Sequence, residues 1–160
     1  VKTLGIQLRW AYMMSFIYLG IYWNNHHHLM HACKHVNGKI MWANLHLLFW
    51  LSLIPFTTAW LGHNHHSPWP TALYGIILSM AALAYIILQH FALMTHGKDS
   101  FLARVFGKSL KEKVTLCIYI IAIITAFYIP LASEGMYLLV ALLWIIPERR
   151  IEHLAHESSS

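Results

Sequence analysis

Residues 34–62 read KHVNGKIMWANLHLLFWLSLIPFTTAWLG, and this stretch decides the fold. Asn37 and Gly38, which both tolerate positive φ, predict a tight turn. The block from 40 to 61 that follows is almost entirely apolar. A helix needs roughly 20 mostly apolar residues to cross a bilayer. The stretch therefore predicts a turn that leads into a membrane-spanning helix, with a kink at Pro55, whose backbone cannot donate a hydrogen bond.

The remainder of the chain repeats this pattern of apolar blocks and short polar connections. The composition is 58% hydrophobic and 11% charged, whereas a soluble domain is about half apolar and about a quarter charged. We predict an all-α fold, a polytopic membrane helical bundle that shows five spanning helices of a six-helix subunit. The single transmembrane domain covers residues 1–160. Its predicted helices are 8–35, 40–61, 72–94, 114–132 and 135–146, with an interfacial amphipathic segment at about 99–111.

Most positive residues fall on one side of this arrangement. Nine of the eleven Lys and Arg residues lie in or beside the first connection, in the third connection or after the fifth helix, and the other two connections carry none. By the positive-inside rule, the first turn, the third connection and the C-terminus are cytoplasmic in a multi-pass protein of the cell membrane. The chain start is then outside, which favours a further helix upstream of Val1. Membrane topology also explains the net charge of +5 better than nucleic-acid binding does.

Other function classes find little support. Cys33 and Cys117 have no spacing typical of a disulfide framework or a zinc knuckle, so we expect free thiols. No span carries paired carboxylates or a nucleophile beside a base, and there is no glycine-rich phosphate loop. The sequence therefore predicts no catalytic residues and no enzyme.

A second conspicuous stretch, GIYWNNHHHLMH at residues 20–31, precedes the turn. His27, His31 and His35 are spaced by four and form one helical stripe. In a hairpin that turns at Asn37 and Gly38, residues whose numbers sum to about 75 lie at the same depth. That register places His31 opposite Asn44. We expect a polar cluster near the cytoplasmic end, and it comprises His27, His28, His31, Asn44 and His46.

Three interpretations of this cluster are open. A b-type haem needs imidazoles from two helices, which His27 or His31 could supply together with His46 or His90. A zinc or copper site lacks an acidic or thiolate partner at ligand spacing. A hydrogen-bonded network is the third, because polar groups inside a membrane are costly unless they find partners. The alternative to a network is thus a membrane haem- or metal-binding oxidoreductase, and a nonconducting scaffold is a further possibility.

The stretch at 20–31, the hairpin at 34–62 and the following ALYG at 72–75 together resemble the prokaryotic branch of the transmembrane protein 175 family, which are potassium channels with six helices per subunit. The resemblance implies a homotetramer in the lipid bilayer that conducts potassium ions passively through a central pore. It implies no cofactor other than the permeant potassium, no metal site and no nucleic-acid partner. The family's pore is lined by its first helix, with an Arg-x-x-x-Phe-Ser-Asp signature that this sequence does not contain. The resemblance therefore leaves the pore and filter residues unassigned.

The family's Tyr-Trp-x-Asn-His-His segment has matching positions in this chain, and Asn44 and Pro55 follow in the next helix. The matches are Tyr22, Trp23, Asn25, His26 and His27. By resemblance, this segment braces the pore helix and acts in support and gating rather than in ion coordination. The predicted gating and structural network consists of Trp23, Asn25, His26, His27, His31, Asn44 and His46.

Overall fold

The computed structural model describes residues 2–64, 67–97, 103 and 110–145. Within these residues the chain forms five α-helices and no strand, which confirms the all-α prediction. They are α1 (Lys2–Ala32), α2 (Gly38–His63), α3 (Pro68–His96), α4 (Leu110–Ala126) and α5 (Pro130–Ile145). Each helix packs against the next one in the described chain, and α5 also contacts α1 and α3. The amphipathic segment predicted at about 99–111 lies almost wholly outside the described residues.

Two of the helices in the described part of the chain are long and apolar enough to cross a membrane, namely α2 with 26 residues and α3 with 29. The apolar α5, with 16 residues, is shorter than a full span. Large apolar side chains also cover the outside of the bundle, such as Trp42, Phe56 and Tyr128, which are 75%, 73% and 81% exposed. An apolar surface of this extent is unusual for a soluble monomer and suits contact with lipid.

The connection between α1 and α2 is longer than the predicted tight turn. The first helix ends at Ala32, before the predicted 35, and the second begins at Gly38, before the predicted 40. Asn37 has an extended backbone with φ of −106°, and its side-chain Oδ1 accepts a hydrogen bond from the Ile40 N–H at 3.0 Å. An asparagine cap satisfies an amide that the first helical turn leaves without a partner. Asn37 is therefore the N-cap of α2, not a positive-φ turn residue.

Two helices begin at a proline, which the sequence did not predict. Pro68 is the first residue of α3 and Pro130 the first of α5, whereas the predicted fourth helix ran through Pro130 to 132. The structure ends α4 at Ala126 instead. The first position of a helix tolerates proline, because an N–H at that position has no partner within the helix. Pro55 lies inside α2, which continues past it to His63.

A cluster of buried tyrosines holds the helices together, and Tyr137 of α5 is its centre. The Tyr137 ring contacts Tyr74 of α3 and Tyr119 of α4, with ring centroids 5.5 and 6.2 Å apart. Its hydroxyl donates to the Thr71 carbonyl oxygen at 3.1 Å, and its own carbonyl oxygen accepts from the Tyr18 hydroxyl of α1. Tyrosine rings supply large apolar areas, while each buried hydroxyl needs a polar partner. One residue of α5 therefore fixes three other helices.

Gly75 lets α3 approach this centre closely. A Cβ atom at this position would collide with the Tyr137 hydroxyl oxygen and would lie 2.8 Å from Ile123 Cγ1 of α4. Only glycine leaves room for both neighbours without a shift of the backbone.

Candidate functional site: a polar pair of helices

The predicted polar segment lies on α1, in the part of the helix that packs against α2. Its central contact joins His26 to Asn44, where the histidine Nε2–H donates to the amide Oδ1 at 2.6 Å. Both side chains are half-buried. Between helices that face lipid, such a bond satisfies two polar groups, because little water is available there as a hydrogen-bond partner. Of the seven residues predicted for the network, the structure thus joins one pair across the two helices.

Trp23, His27 and His31 form a separate stripe on the exposed side of α1. The Trp23 and His27 rings stack with centroids 5.2 Å apart, and His27 stacks on His31 at 6.0 Å. All three side chains are exposed. The spacing of four residues places them one above another on the helix, as predicted. This ladder of rings presents a flat aromatic and polar face on the outside of the described bundle.

The two remaining predicted residues bond within their own helices. The Asn25 side-chain amide donates to the Ile21 carbonyl oxygen at 2.8 Å, one turn earlier in α1. His46 Nε2 accepts from the Trp50 indole N–H at 3.0 Å, one turn later in α2. The backbone of Asn25 is tied to another helix, since its carbonyl oxygen accepts from the Tyr85 hydroxyl of α3 at 3.4 Å.

The register of the two helices differs from the predicted one. Asn44 pairs with His26, so the numbers of facing residues sum to 70 rather than 75. The shift follows from the ends of the helices, because Ala32 and Gly38 also sum to 70. The five residues 33–37 form the connection and add no paired helical turns. His31 therefore lies closer to the loop than Asn44 does.

The histidines do not converge on a metal site within the described part of the chain. No group of three or more His, Cys, Asp or Glu residues there is arranged to hold a metal ion. His27 and His31 lie on the exposed stripe of α1, and His46 is engaged with Trp50. The haem interpretation requires two imidazoles that face each other from different helices, and no contact among the described residues brings two such rings together. Cys33 and Cys117 are both free thiols, as expected.

A small cavity that no sequence pattern predicted lies between α1, α3, α4 and α5. It has a volume of about 20 Å³, room for about one water molecule. Its walls include Tyr22 and Asn25 of α1, Tyr85 of α3, Tyr119 of α4 and Trp144 of α5. Tyr22 had been singled out only as a match to the family segment. The other residues are scattered over more than a hundred positions, so no local pattern could have grouped them.

Comparison with known proteins shows the family to which the His26–Asn44 pair belongs. The sequence profile described as "Endosomal/lysosomal potassium channel TMEM175" matches residues 3–55, a range that contains both His26 and Asn44. A protein named as a potassium channel from Chryseobacterium sp. (strain P1-3) is 49% identical over 148 residues, which cover 92% of this chain and 77% of the relative. The chain belongs to the TMEM175 potassium channel family. This membership confirms the resemblance inferred from the 20–31 stretch and the hairpin.

A second relative of this TMEM175 family member is less similar to it. A protein named as a potassium channel from Streptomyces collinus (strain DSM 40733 / Tue 365) is 32% identical over 79 residues, or 47% of this chain and 38% of the relative. No solved structure matches the chain. The family membership together with the two long apolar helices makes this chain a membrane protein.

Proposed function

We propose that this chain is a subunit of a potassium-selective channel, a homotetramer that carries potassium passively across the cell membrane through a central pore. The proposal depends on one observation above all, the 49% identity over 92% of the chain to a protein named as a potassium channel. It requires neither a catalytic residue nor a cofactor, and potassium is the permeant ion. In the proposal, the pore constriction is formed by the family's first helix, as the resemblance implies, and not by a residue of the polar pair.

The polar pair then has a supporting role. His26 and Asn44 hold α1 to α2 at 2.6 Å, and the ring ladder of Trp23, His27 and His31 remains exposed beside them. An exposed ladder of polar rings on an otherwise apolar surface is costly in lipid unless another polar surface covers it. We assign that cover to the pore-lining helix. The network would thereby set the position of the pore helix without touching the ion.

The topology in the proposal follows the positive charges. The α1–α2 connection, with Lys34 and Lys39 beside it, faces the cytoplasm, as do the segment between α3 and α4 and the C-terminus. The α2–α3 connection near Asn64 is then on the outer side.

A flux assay tests the function directly. The complete gene product that contains this chain would be purified and reconstituted in liposomes loaded with potassium chloride. We expect potassium efflux down its gradient that is faster than in empty vesicles, with a smaller flux when sodium replaces potassium. Flux equal to that of empty vesicles contradicts the channel.

The same preparation separates the channel from the oxidoreductase alternative. A bis-imidazole haem gives an intense Soret band in the visible absorption spectrum. We expect purified protein from haem-supplemented cells to show no such band. A band whose intensity falls in a His46→Ala variant would support the oxidoreductase instead.

A further inference from the structure

A large open groove separates the start of α2 from the end of α3. Its volume is about 940 Å³, within the range of roughly 300–1,000 Å³ that is typical of ligand sites. One wall is a single face of α2, on which Lys39, Trp42 and His46 follow each other at spacings of three and four residues. The opposite wall is the face of α3 that carries Ile87 and Phe91.

The polarity of the groove changes along its length. Lys39, the side chain of Asn37 and the hydroxyl of Thr95 lie at the end near the α1–α2 connection. Ile87 is two turns deeper along α3, about 12 Å from Thr95 at the helical rise of 1.5 Å per residue. The groove thus begins with a cation at the helix ends and continues toward the middle of the bundle between mostly apolar side chains, with the imidazole of His46 among them.

The formal charges of the region are all positive, although the carbonyl groups at the C-terminal end of α3 add partial negative charge. The chain contains no Asp or Glu before Asp99, so α1, α2, α3 and the connections between them supply no carboxylate. Lys39 is exposed and is the first residue after the helix start at Gly38, where the aligned backbone dipoles add partial positive charge. An anion that reaches this end of the groove therefore meets no acidic competitor from the helices that form it.

The end of the groove is also held in a fixed shape. Asn37 Nδ2 donates to Thr95 Oγ1 at 2.9 Å, while Asn37 Oδ1 caps α2. The His35 N–H donates to His96 Nε2 at 3.2 Å, and His96 Nδ1–H donates to the Ala92 carbonyl oxygen at 2.9 Å. These bonds tie the connection to the last turn of α3. The groove is therefore formed before any ligand arrives.

We infer that this groove binds an anionic phospholipid of the inner leaflet, with the phosphate near Lys39 and an acyl chain between Trp42 and Phe91. The inference deepens the proposed topology, which places this end of the helices at the cytoplasmic surface, where anionic lipids are enriched. Trp42 is 75% exposed, and an aromatic ring beside a lysine at a helix end is the usual anchor at the membrane interface. Lipid matches both halves of the groove, since its headgroup is charged and its chains are apolar.

Lipid retention measured by native mass spectrometry tests this assignment. Protein in a neutral detergent would be mixed with phosphatidylglycerol or with phosphatidylcholine of the same acyl chains. We expect the protein to retain phosphatidylglycerol in preference to phosphatidylcholine. Lys39→Gln should weaken phosphatidylglycerol binding about fivefold, because one basic residue near an anionic surface contributes about 1 kcal/mol. Phe91→Ala should weaken both lipids.

Matched controls lie on α4. Lys113→Gln removes an exposed lysine at another helix end, and Ile120→Ala removes an exposed apolar side chain away from the groove. We expect both variants to bind as the parent protein does.

Equal retention of the two lipids, or equal losses in the Lys39 and Lys113 variants, overturns the proposal. Binding of inorganic phosphate to the groove as strongly as phosphatidylglycerol also overturns the proposal. A change of oligomeric state in the groove variants without a change in lipid binding overturns it as well. Potassium flux is measured separately, so a channel without this lipid site remains recognisable.

Discussion

At the scale of single residues, His26 and His27 are neighbours with different surroundings. His26 is half-buried and bonded to Asn44 of α2, whereas His27 is exposed between the rings of Trp23 and His31. A helix turns by about 100° per residue, so adjacent histidines point to different sides. The run of three histidines therefore serves two surfaces, one inside the described bundle and one outside it.

Replacement of His26 should destabilise the subunit more than replacement of His27. His26→Ala removes the bond between α1 and α2, and we expect a loss of about 1 kcal/mol in the free energy of unfolding. Asn44→Ala should cost a similar amount, and the double variant should cost less than the sum of the two. Denaturant titration of the purified protein measures all three. Additive losses would mean that the two side chains do not act as a pair.

Replacement of His27 should affect assembly or gating. His27→Ala breaks the ring ladder on the face that we assign to the pore helix, so we expect a weaker tetramer or an altered open probability. The preference for potassium over sodium should stay nearly unchanged. Single-channel recordings and size-exclusion chromatography measure these effects. A loss of ion preference would place His27 at the filter and contradict a supporting role.

At the scale of helices, α3 and α5 depend on one close approach. Gly75→Ala would place a Cβ atom against the Tyr137 hydroxyl and Ile123, and we expect a loss of about 1–3 kcal/mol in stability. Gly20→Ala and Gly135→Ala are matched controls, since nothing lies within 4 Å of a Cβ atom there, and alanine favours a helix over glycine. Thermal unfolding in detergent compares the three. Gly75→Ala combined with Tyr137→Phe should cost less than the sum of the two single changes, because the colliding oxygen is gone.

The start of α2 offers a second test at this scale. Asn37→Ala removes both the cap on Ile40 and the bond to Thr95, so the first turn should open more often. Asn37→Ser keeps a capping oxygen but cannot reach Thr95. Hydrogen exchange followed by mass spectrometry should show faster exchange at residues 38–42 in Asn37→Ala than in Asn37→Ser. Equal exchange in these two variants would assign the whole effect to the bond with Thr95.

The presence of each helix was predictable from the sequence, but the residues at which the helices begin and end were predicted less well. Each of the five described helices overlaps a predicted one, since long apolar blocks separated by polar turns leave few alternatives. The predictions failed where a proline begins a helix, at Pro68 and Pro130, because proline is also a common helix terminator. The register of α1 and α2 was off by five because it was counted from a tight turn at Asn37. The His26–Asn44 bond was not predicted as a pair, because the assumed register placed His31 opposite Asn44 and His26 entered the predicted network only through the family resemblance.

At the scale of the whole molecule, the topology can be tested with two engineered cysteines. In a background with Cys33→Ala and Cys117→Ala, the exposed positions Lys34→Cys and Asn64→Cys lie just outside the two ends of α2. Its 26 residues extend about 39 Å, more than the roughly 30 Å hydrocarbon core. We expect a membrane-impermeant maleimide to label Asn64→Cys from outside intact cells and Lys34→Cys only after lysis. Labelling of both from outside would contradict the spanning arrangement.

The tyrosine cluster could not be predicted from the sequence. Tyr18, Tyr74, Tyr119 and Tyr137 each lie inside a different apolar block and look like ordinary packing residues. Only the tertiary arrangement brings them together, and the bond between Tyr18 and the Tyr137 carbonyl joins positions 119 residues apart. Membrane helices that pack through polar contacts need such partners, but the local sequence does not predict which side chains will pair.

The central position of Tyr137 also sets an order in time. Synthesis runs from the first helix to the last, so Tyr18 is made long before the Tyr137 carbonyl oxygen that accepts its hydrogen bond. At about 5–20 residues per second, the 119 intervening residues take roughly 6–24 seconds to synthesise. During that interval α1, α2 and α3 can insert and pack through their own contacts, such as the one between the Tyr18 and Tyr74 rings, but the contacts that α4 and α5 supply are missing. The Tyr18 hydroxyl therefore has no Tyr137 acceptor until α5 is made, and a chain that stops before position 137 lacks the contacts by which this residue joins α5 to α1, α3 and α4.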